Sequence, residues 1–347
     1  MSAEITAFAP GRVNLIGEHT DYNRGLALPF AVREGVTVRA QRLGGDRVEA
    51  IARDLNGRDA FALSEPPPAK GWRAFVRGAV GELQRAGVQL TGARLEITGT
   101  VPRGSGLSSS AALEVALTLA LCAVAGQDAP PRIELAQLCS RIENDWVGAQ
   151  TGLLDQLASL FGREHCALRI DFDTLSVEPV SLHLGEFALV TLDSGERHTH
   201  AGSGYNERRA ECAAACEHLG IASLREATLE QAQSLPEPLN RRARHIVSDN
   251  QRVRDTVAAL ARGDLETVGR LLDEAHASLR DDFEISTPAV EDAVKRCKQA
   301  GALGARIMGG GFGGNVLALM SPGATPPTGA LAVAPGPGAS VGDNGAG

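Results

Sequence analysis

Pro102-Arg103-Gly104-Ser105-Gly106-Leu107-Ser108-Ser109-Ser110-Ala111-Ala112 is the stretch whose surroundings set the fold. Before it, Leu95, Ile97 and Gly99 alternate with Arg94, Glu96 and Thr98, the two-residue period of a half-buried strand. After it, Ala111 to Ala125 runs as an apolar helix, and Pro102 and Gly104 break the strand between them. A strand that hands over to a helix in this way points backbone N–H groups and the positive helix end at one place, where anions bind. The glycines let a ligand approach the backbone closely, and the serines add hydroxyl donors. No Gly-Lys-Ser/Thr follows, so this is not a Walker A loop. A serine-rich helix cap is the plain alternative, but a cap needs one serine and three stand here.

Working outward, the N-terminal alternation Ile5, Ala7, Ala9 is a strand that leads into Ala9-Pro10-Gly11-Arg12-Val13-Asn14-Leu15-Ile16-Gly17-Glu18-His19-Thr20-Asp21-Tyr22-Asn23-Arg24-Gly25. Five polar side chains, Arg12, Asn14, Glu18, His19 and Asp21, crowd into ten positions. Such a cluster is costly to desolvate without a partner. Its supply of acceptors and donors suits a polyhydroxylated ligand, of which a sugar is the simplest.

Two carboxylates deserve separate readings. Asp155 stands among Leu153, Leu154, Leu157 and Leu160 on a helix beginning near Leu153, so it needs a cationic partner or a hydrogen-bonding substrate, and Arg12 is the candidate partner. Glu143, twelve residues earlier, is either a solvated helix charge or, with a hydroxyl of the serine run, half of a magnesium site. Met308-Gly309-Gly310-Gly311-Phe312-Gly313-Gly314-Asn315 lies between the apolar segments Ala305-Arg306-Ile307 and Val316-Leu317-Ala318-Leu319. It reads as a tight loop against another element or a ligand, with a purely structural turn equally open.

The remaining elements are short strands at Val36 to Ala40, Arg47 to Ala52, Arg94 to Thr98, Val177 to Leu182 and Phe187 to Leu192. Helices are expected over Gly71 to Ala86, Ile133 to about Val147, Tyr205 to Leu219 and Asn250 to Ala261. A chain of 347 residues with 43% hydrophobic content supports two domains with a real core, and the boundary is placed near Pro179. From Ser321 onward twelve of twenty-seven residues are Gly or Pro, a composition that cannot order itself alone, and only Ala330 to Ala334 looks strand-like. A net charge of −8 offers no basic stripe for nucleic acid. The sequence has no basic leader and no uncharged apolar run of about 18 residues, so a cytoplasmic protein without membrane contact is expected. Cys122, Cys139, Cys166, Cys212, Cys216 and Cys297 lack paired C-x-x-C spacing and read as reduced thiols.

Three separated segments carry a resemblance. Gly11 to Tyr22 resembles the galactokinase signature, Gly106 to Ala112 the phosphate loop of the GHMP small-molecule kinase superfamily, and Gly309 to Gly314 that superfamily's third glycine motif. Asp193-Ser194-Gly195, Tyr205-Asn206-Glu207-Arg208-Arg209 and Ser278-Leu279-Arg280-Asp281-Asp282 resemble galactokinase blocks as well, so the similarity runs to about Leu319. It implies an α+β, two-domain GHMP kinase fold, with mixed sheets, helices and an active site in the cleft between residues 1–178 and 179–320; residues 321–347 form the tail, with one closing strand. It also implies an ATP-dependent galactose kinase acting on the anomeric hydroxyl, expected as a monomer. Asp155 would act as general base with Arg12 beside it. Glu18, His19, Thr20, Asp21, Gly152 and Tyr205 would hold the sugar, Asp21 and Tyr205 reading its axial 4-hydroxyl. Gly104, Ser105, Gly106, Leu107, Ser108, Ser109 and Ser110 would cradle the ATP phosphates, and Ser110 with Glu143 would hold Mg2+, which favours the second reading of Glu143. An N-acetylgalactosamine kinase and a non-catalytic galactose sensor are the rival readings; an uninterrupted serine run favours the enzyme. Two departures stand out, a short closing region after Leu319 and Asn315 where a small or thiol residue is expected.

Overall fold

A computed structural model of the chain describes residues 4–64, 66–102, 104–149, 151–196 and 201–343; Arg103 of the phosphate-loop stretch and the last four residues of the tail lie outside these. The chain opens with β1 (Ile5–Asn14), the two-residue β2 (Leu26–Ala27) and the long β3 (Pro29–Arg42). The hairpin β4 (Arg47–Ala52) and β5 (Gly57–Ala62) precedes α1 (Trp72–Arg85) and β6 (Ala93–Gly99). The apolar helix then follows as α2 (Ser109–Val124). Because α2 is apolar around most of its circumference, it packs in the middle of this half, against β1 and β3 on one side and α1 on another.

A continuous helix from Ile133 to Val147 was expected. Instead α3 (Arg132–Arg141) ends in a π-helical turn over Ile142–Val147. In that turn Trp146 packs on Gly78 and Gly81 of α1, where a Cβ would lie 2.9 and 2.3 Å from its ring, and its indole N–H donates to Glu82. The widened turn thus seats a bulky ring that a regular helix would place elsewhere. After it come α4 (Leu154–Phe161), the hairpin β7 (Cys166–Asp171) and β8 (Ser176–Ser181), and β9 (Ala188–Asp193).

Helices dominate the next part: α5 (Ala201–Leu219), α6 (Leu229–Ser234), α7 (Leu239–Ala261), α8 (Leu265–Asp281) and α9 (Pro288–Gln299). α7 starts well before the expected Asn250. Its first half is rich in arginine, yet Arg242, His245 and Asp249 are buried. Arg242 donates to Glu211 at 2.7 Å and Glu284 at 2.6 Å, so ion pairs let arginine turn inward beside the buried apolar residues Leu239, Ala243 and Ile246. The chain closes with β10 (Ala302–Met308), β11 (Asn315–Met320), β12 (Leu331–Val333) and β13 (Ser340–Asp343).

Among the described residues the strands form three sheets, ordered β13-β1-β3-β6-β4-β5, β10-β11-β9-β12 and β2-β7-β8. All neighbours are antiparallel except β4 and β6. The tail contributes two strands where one was expected. β12 pairs with β9 and β13 with β1, so a segment unable to order itself borrows an existing edge in each of two sheets. One apolar core lies between the first sheet and α1–α4, and another between β9–β11 and the later helices. A third draws on both halves, joining Leu15, Phe30 and Leu107 to Val253, Leu271 and Leu317. No helix among the described residues is long and apolar enough to cross a membrane. The six cysteines are all unpaired.

Candidate active site

The register of β1 against β3 shifts between Pro10 and Arg12, a bulge centred on Gly11. A Cβ on Gly11 would lie 2.3 Å from the Leu107 carbonyl oxygen, and the Arg12 N–H donates to that oxygen at 2.9 Å. Only a residue without a side chain lets the strand dock edge-on against the phosphate loop. The bulge delivers the Arg12 guanidinium to Asp155 as a two-pronged pair, Nε to Oδ1 at 2.7 Å and Nη2 to Oδ2 at 2.8 Å, while Nη1 donates to the Gly106 carbonyl at 2.7 Å. Such parallel bonds fix a carboxylate in direction as well as charge. The Ser108 hydroxyl donates to Asp155 Oδ2 from the other side.

Arg12 and Asp155 stand at one end of a cavity of about 420 Å³ that is also lined by Glu18, His19, Asp21, Gly152 and Tyr205. Six of the seven side chains expected at the chemistry and the sugar therefore meet with Gly152 in one place. Thr20 does not join them. It is fully buried, and its hydroxyl is spent on the carbonyls of Gly17 (3.1 Å) and Leu26 (2.7 Å), where it closes the signature turn. Gly152 is there because Asp21 is: a Cβ at 152 would fall 1.8 Å from Asp21 Oδ2.

The pocket walls hold several groups away from their ordinary protonation. Burial, followed by the neighbouring charge of His245, lowers His19 to about 3, so its ring is neutral at physiological pH. Its Nδ1 shares a 2.9 Å hydrogen bond with the Tyr22 hydroxyl, whereas Nε2 is buried without a partner. A buried nitrogen in that state is suited to a ligand hydroxyl. His19 also has a left-handed backbone (φ 61°) and packs against the Phe283 and Tyr205 rings at 4.7 and 5.3 Å. Asp21 is pushed up to about 6, chiefly by burial and further by the charges of Asp155 and Glu18. Glu18 Oε1 accepts from the Gly309 N–H at 2.8 Å.

The phosphate-loop stretch turns through left-handed conformations at Gly104 (φ 75°), Gly106 (φ 64°) and Ser108 (φ 56°) before entering α2. Ser108 sits at the helix cap position but makes no capping bond, because its hydroxyl faces Asp155. The first N–H groups of α2 are therefore left without a side-chain cap, the arrangement that takes an anion. Ser105 is buried with its hydroxyl unpartnered, and Ser109 is exposed. Across the gap, Asn315 Nδ2 donates to the Gly104 carbonyl at 3.4 Å, a contact a thiol or small residue would not make.

Glu143 lies on the π-helical turn, buried, and accepts from Thr151 Oγ1 at 2.8 Å and Gln156 Nε2 at 3.1 Å. Gln156 also donates to Glu114, a fully buried acid that the sequence reading missed; burial, then the charge of Glu143, raises it to about 10. A hydroxyl and a carboxylate form an all-oxygen donor set that suits a hard divalent cation. No group of three or more His, Cys, Asp and Glu side chains able to hold a metal occurs among the described residues, so such a cation would need ligand oxygens to complete its shell, as Mg2+ commonly does. Gly309, Gly310 and Gly311 line the cavity, in keeping with the ligand-facing reading of that loop, whereas Arg306 behind them was not anticipated. The available signal was a lone arginine in an otherwise apolar strand.

Comparison with known proteins agrees with this geometry. Residues 1–42 match the galactokinase galactose-binding signature, residues 74–163 the GHMP kinases N terminal domain and residues 256–333 the GHMP kinases C terminal family. The chain is 45% identical over 320 residues to a galactokinase of Mycobacterium tuberculosis, covering 90% of this chain and 88% of that protein. It is 43% identical over 328 residues to one from Roseiflexus sp., covering 90% and 82%. The crystal structure of Lactococcus lactis galactokinase complexed with galactose superposes with a TM-score of 0.90 at 34% identity, covering 97% of this chain and 95% of that one. Methanococcus jannaschii mevalonate kinase, at 18% identity and TM-score 0.66, shares the fold. With its galactose-binding signature, both GHMP regions and these relatives, the chain belongs to the galactokinase family of GHMP kinases.

Proposed function

We propose that the protein transfers the γ-phosphoryl group of ATP to the anomeric hydroxyl of D-galactose, giving galactose 1-phosphate and ADP. The observation that carries this reading is the Arg12–Asp155 pair, which stands where the cavity meets the phosphate loop and contacts both. Glu18, the unpartnered His19 Nε2, Asp21 and Tyr205 bind the sugar hydroxyls and turn the anomeric oxygen toward Asp155. Asp155 accepts the hydroxyl proton as that oxygen attacks. Arg12 and Ser108 hold Asp155 in one orientation, and the uncapped N–H groups of α2 bind the phosphates. Phosphoryl transfer asks for positioning and charge neutralisation more than covalent help, which suits these parts. Mg2+, held by Ser110 and Glu143, would supply further charge neutralisation when bound.

The same reading takes the chain as two parts that both line the cavity, with the boundary after β8 rather than at Pro179, which pairs with Leu168 inside that strand, and takes the protein as a cytoplasmic monomer. A coupled ADP-release assay with galactose, N-acetylgalactosamine, glucose, mevalonate and homoserine tests it. Galactose should be the preferred acceptor by at least tenfold. Tight galactose binding without turnover would overturn the enzymatic reading, and equal turnover of N-acetylgalactosamine would overturn the specificity.

A further inference from the structure

Arg306 is among the largest fully buried side chains in the molecule, and it sits on β10 between the apolar residues Ala305 and Ile307. Its guanidinium is spread over both halves of the chain. Nε donates to the Leu15 carbonyl at 2.7 Å, Nη1 to the Ile307 carbonyl at 2.8 Å, and Nη2 to the Asn14 carbonyl and to Glu18 Oε1, the last at 3.2 Å. Glu18 Oε1 receives the Gly309 N–H as well. One oxygen of the signature carboxylate is thus committed to the strand and loop that carry the third glycine motif, and the other is left for a ligand.

We propose that Arg306 is a positioning residue for sugar recognition: it fixes the end of the signature strand and the direction of the Glu18 carboxylate, and through Gly309 it sets the third glycine loop at the sugar pocket. The physical reason lies in its donor set. A planar guanidinium satisfies three carbonyls and a carboxylate at once, which an ammonium cannot do in the same directions. Being fully buried, that charge requires its acceptors, so Asn14, Leu15 and Glu18 are held where Arg306 needs them. Arg306 does not line the cavity; it acts through the Asn14 and Leu15 backbone and through Glu18, which in turn holds Gly309.

This inference rests on the reading of the cavity as a galactose site. The two fail differently: if that reading is wrong, the unaltered protein binds no galactose. The test measures galactose and ATP affinities separately, by titration calorimetry, for Arg306→Lys, Glu18→Gln and the double variant, with melting curves to establish folding. The expected result is at least a tenfold loss of galactose affinity in Arg306→Lys with ATP affinity changed less than twofold, and a double variant no weaker than the weaker single one, since both act through the same carboxylate. Unchanged galactose affinity in folded Arg306→Lys, equal losses for both ligands, or losses that multiply in the double variant would each overturn the proposal. If Arg306→Lys does not fold, hydrogen exchange of ligand-free Glu18→Gln decides. Amide protons of Leu15–Glu18 and Met308–Gly309 should exchange at least tenfold faster together, whereas a Glu18 that serves only the sugar leaves them unchanged.

Discussion

The cavity proposed for the sugar and the loop proposed for the phosphates adjoin at Arg12 and Asp155 yet are built from opposite materials. The cavity is walled by directed side chains held before any ligand arrives: Glu18 by Arg306 and Gly309, His19 by Tyr22, and Asp21 against Gly152. The loop presents backbone, with left-handed residues at Gly104, Gly106 and Ser108 and an uncapped helix start. The difference follows from the ligands. Sugar epimers differ in the direction of single hydroxyls, which fixed side chains can read by leaving a mismatched partner unpaired. A phosphate presents many equivalent acceptors, which a row of N–H groups serves.

Breaking the junction should have the largest effect. Asp155→Asn keeps the shape but removes the proton acceptor; turnover should fall by roughly 10²- to 10⁴-fold while both ligands bind nearly as before, which stopped-flow and calorimetry can show. Near-normal turnover would remove the base role. Gly152→Ala strikes the sugar side alone, because the new Cβ would collide with Asp21 Oδ2. Displacing one buried partner costs on the order of 2 kcal/mol, so galactose affinity should drop about thirtyfold with ATP affinity unchanged.

Acid should also separate the two regions. Because Asp21 titrates near 6, its carboxylate is lost as an acceptor as the pH falls through that value, and galactose affinity should weaken by up to about tenfold per pH unit below it. His19 stays neutral through this window and does not contribute. Stability moves in the opposite sense. A carboxyl whose folded value lies above its ordinary 3.8 opposes folding fully above 6, and that opposition is relieved as the pH drops toward 3.8. Asp21→Asn should therefore melt higher than the unaltered protein at pH 8, with the gap closing between 6 and 4. The smallest effect is expected on the phosphate side. At Gly104 a Cβ meets nothing within 4 Å, so Gly104→Ala brings only the strain of φ 75°, about 1 kcal/mol. ATP affinity should fall about fivefold and galactose affinity should hold.

Much of this site is legible in sequence because it is written in short-range patterns. Alternation located β6, apolar content located α2, and the glycines and serines between them marked the turn proposed to bind the phosphates. Arg12 and Asp155 could be matched as a charge seeking its opposite in apolar surroundings. Thr20 could not be told from its neighbours, since nothing local distinguishes a hydroxyl facing a ligand from one closing its own turn. The first half of α7 was hidden for a related reason: its buried face mixes Leu239, Ala243 and Ile246 with ion-paired Arg242, which reads as exposed until Glu211 and Glu284 are placed beside it.

By itself the sequence determined most of the local elements, the glycine- and serine-rich turn between β6 and α2 and the polar cluster that follows β1, because each depends on residues a few positions apart. Tertiary structure alone decided that Ser108 faces Asp155, that Arg306 holds Glu18 across 288 positions, and that a Gly- and Pro-rich tail closes an edge of two sheets. Those contacts follow from which apolar surfaces bury one another, and a periodicity read along the chain carries no record of distances across it.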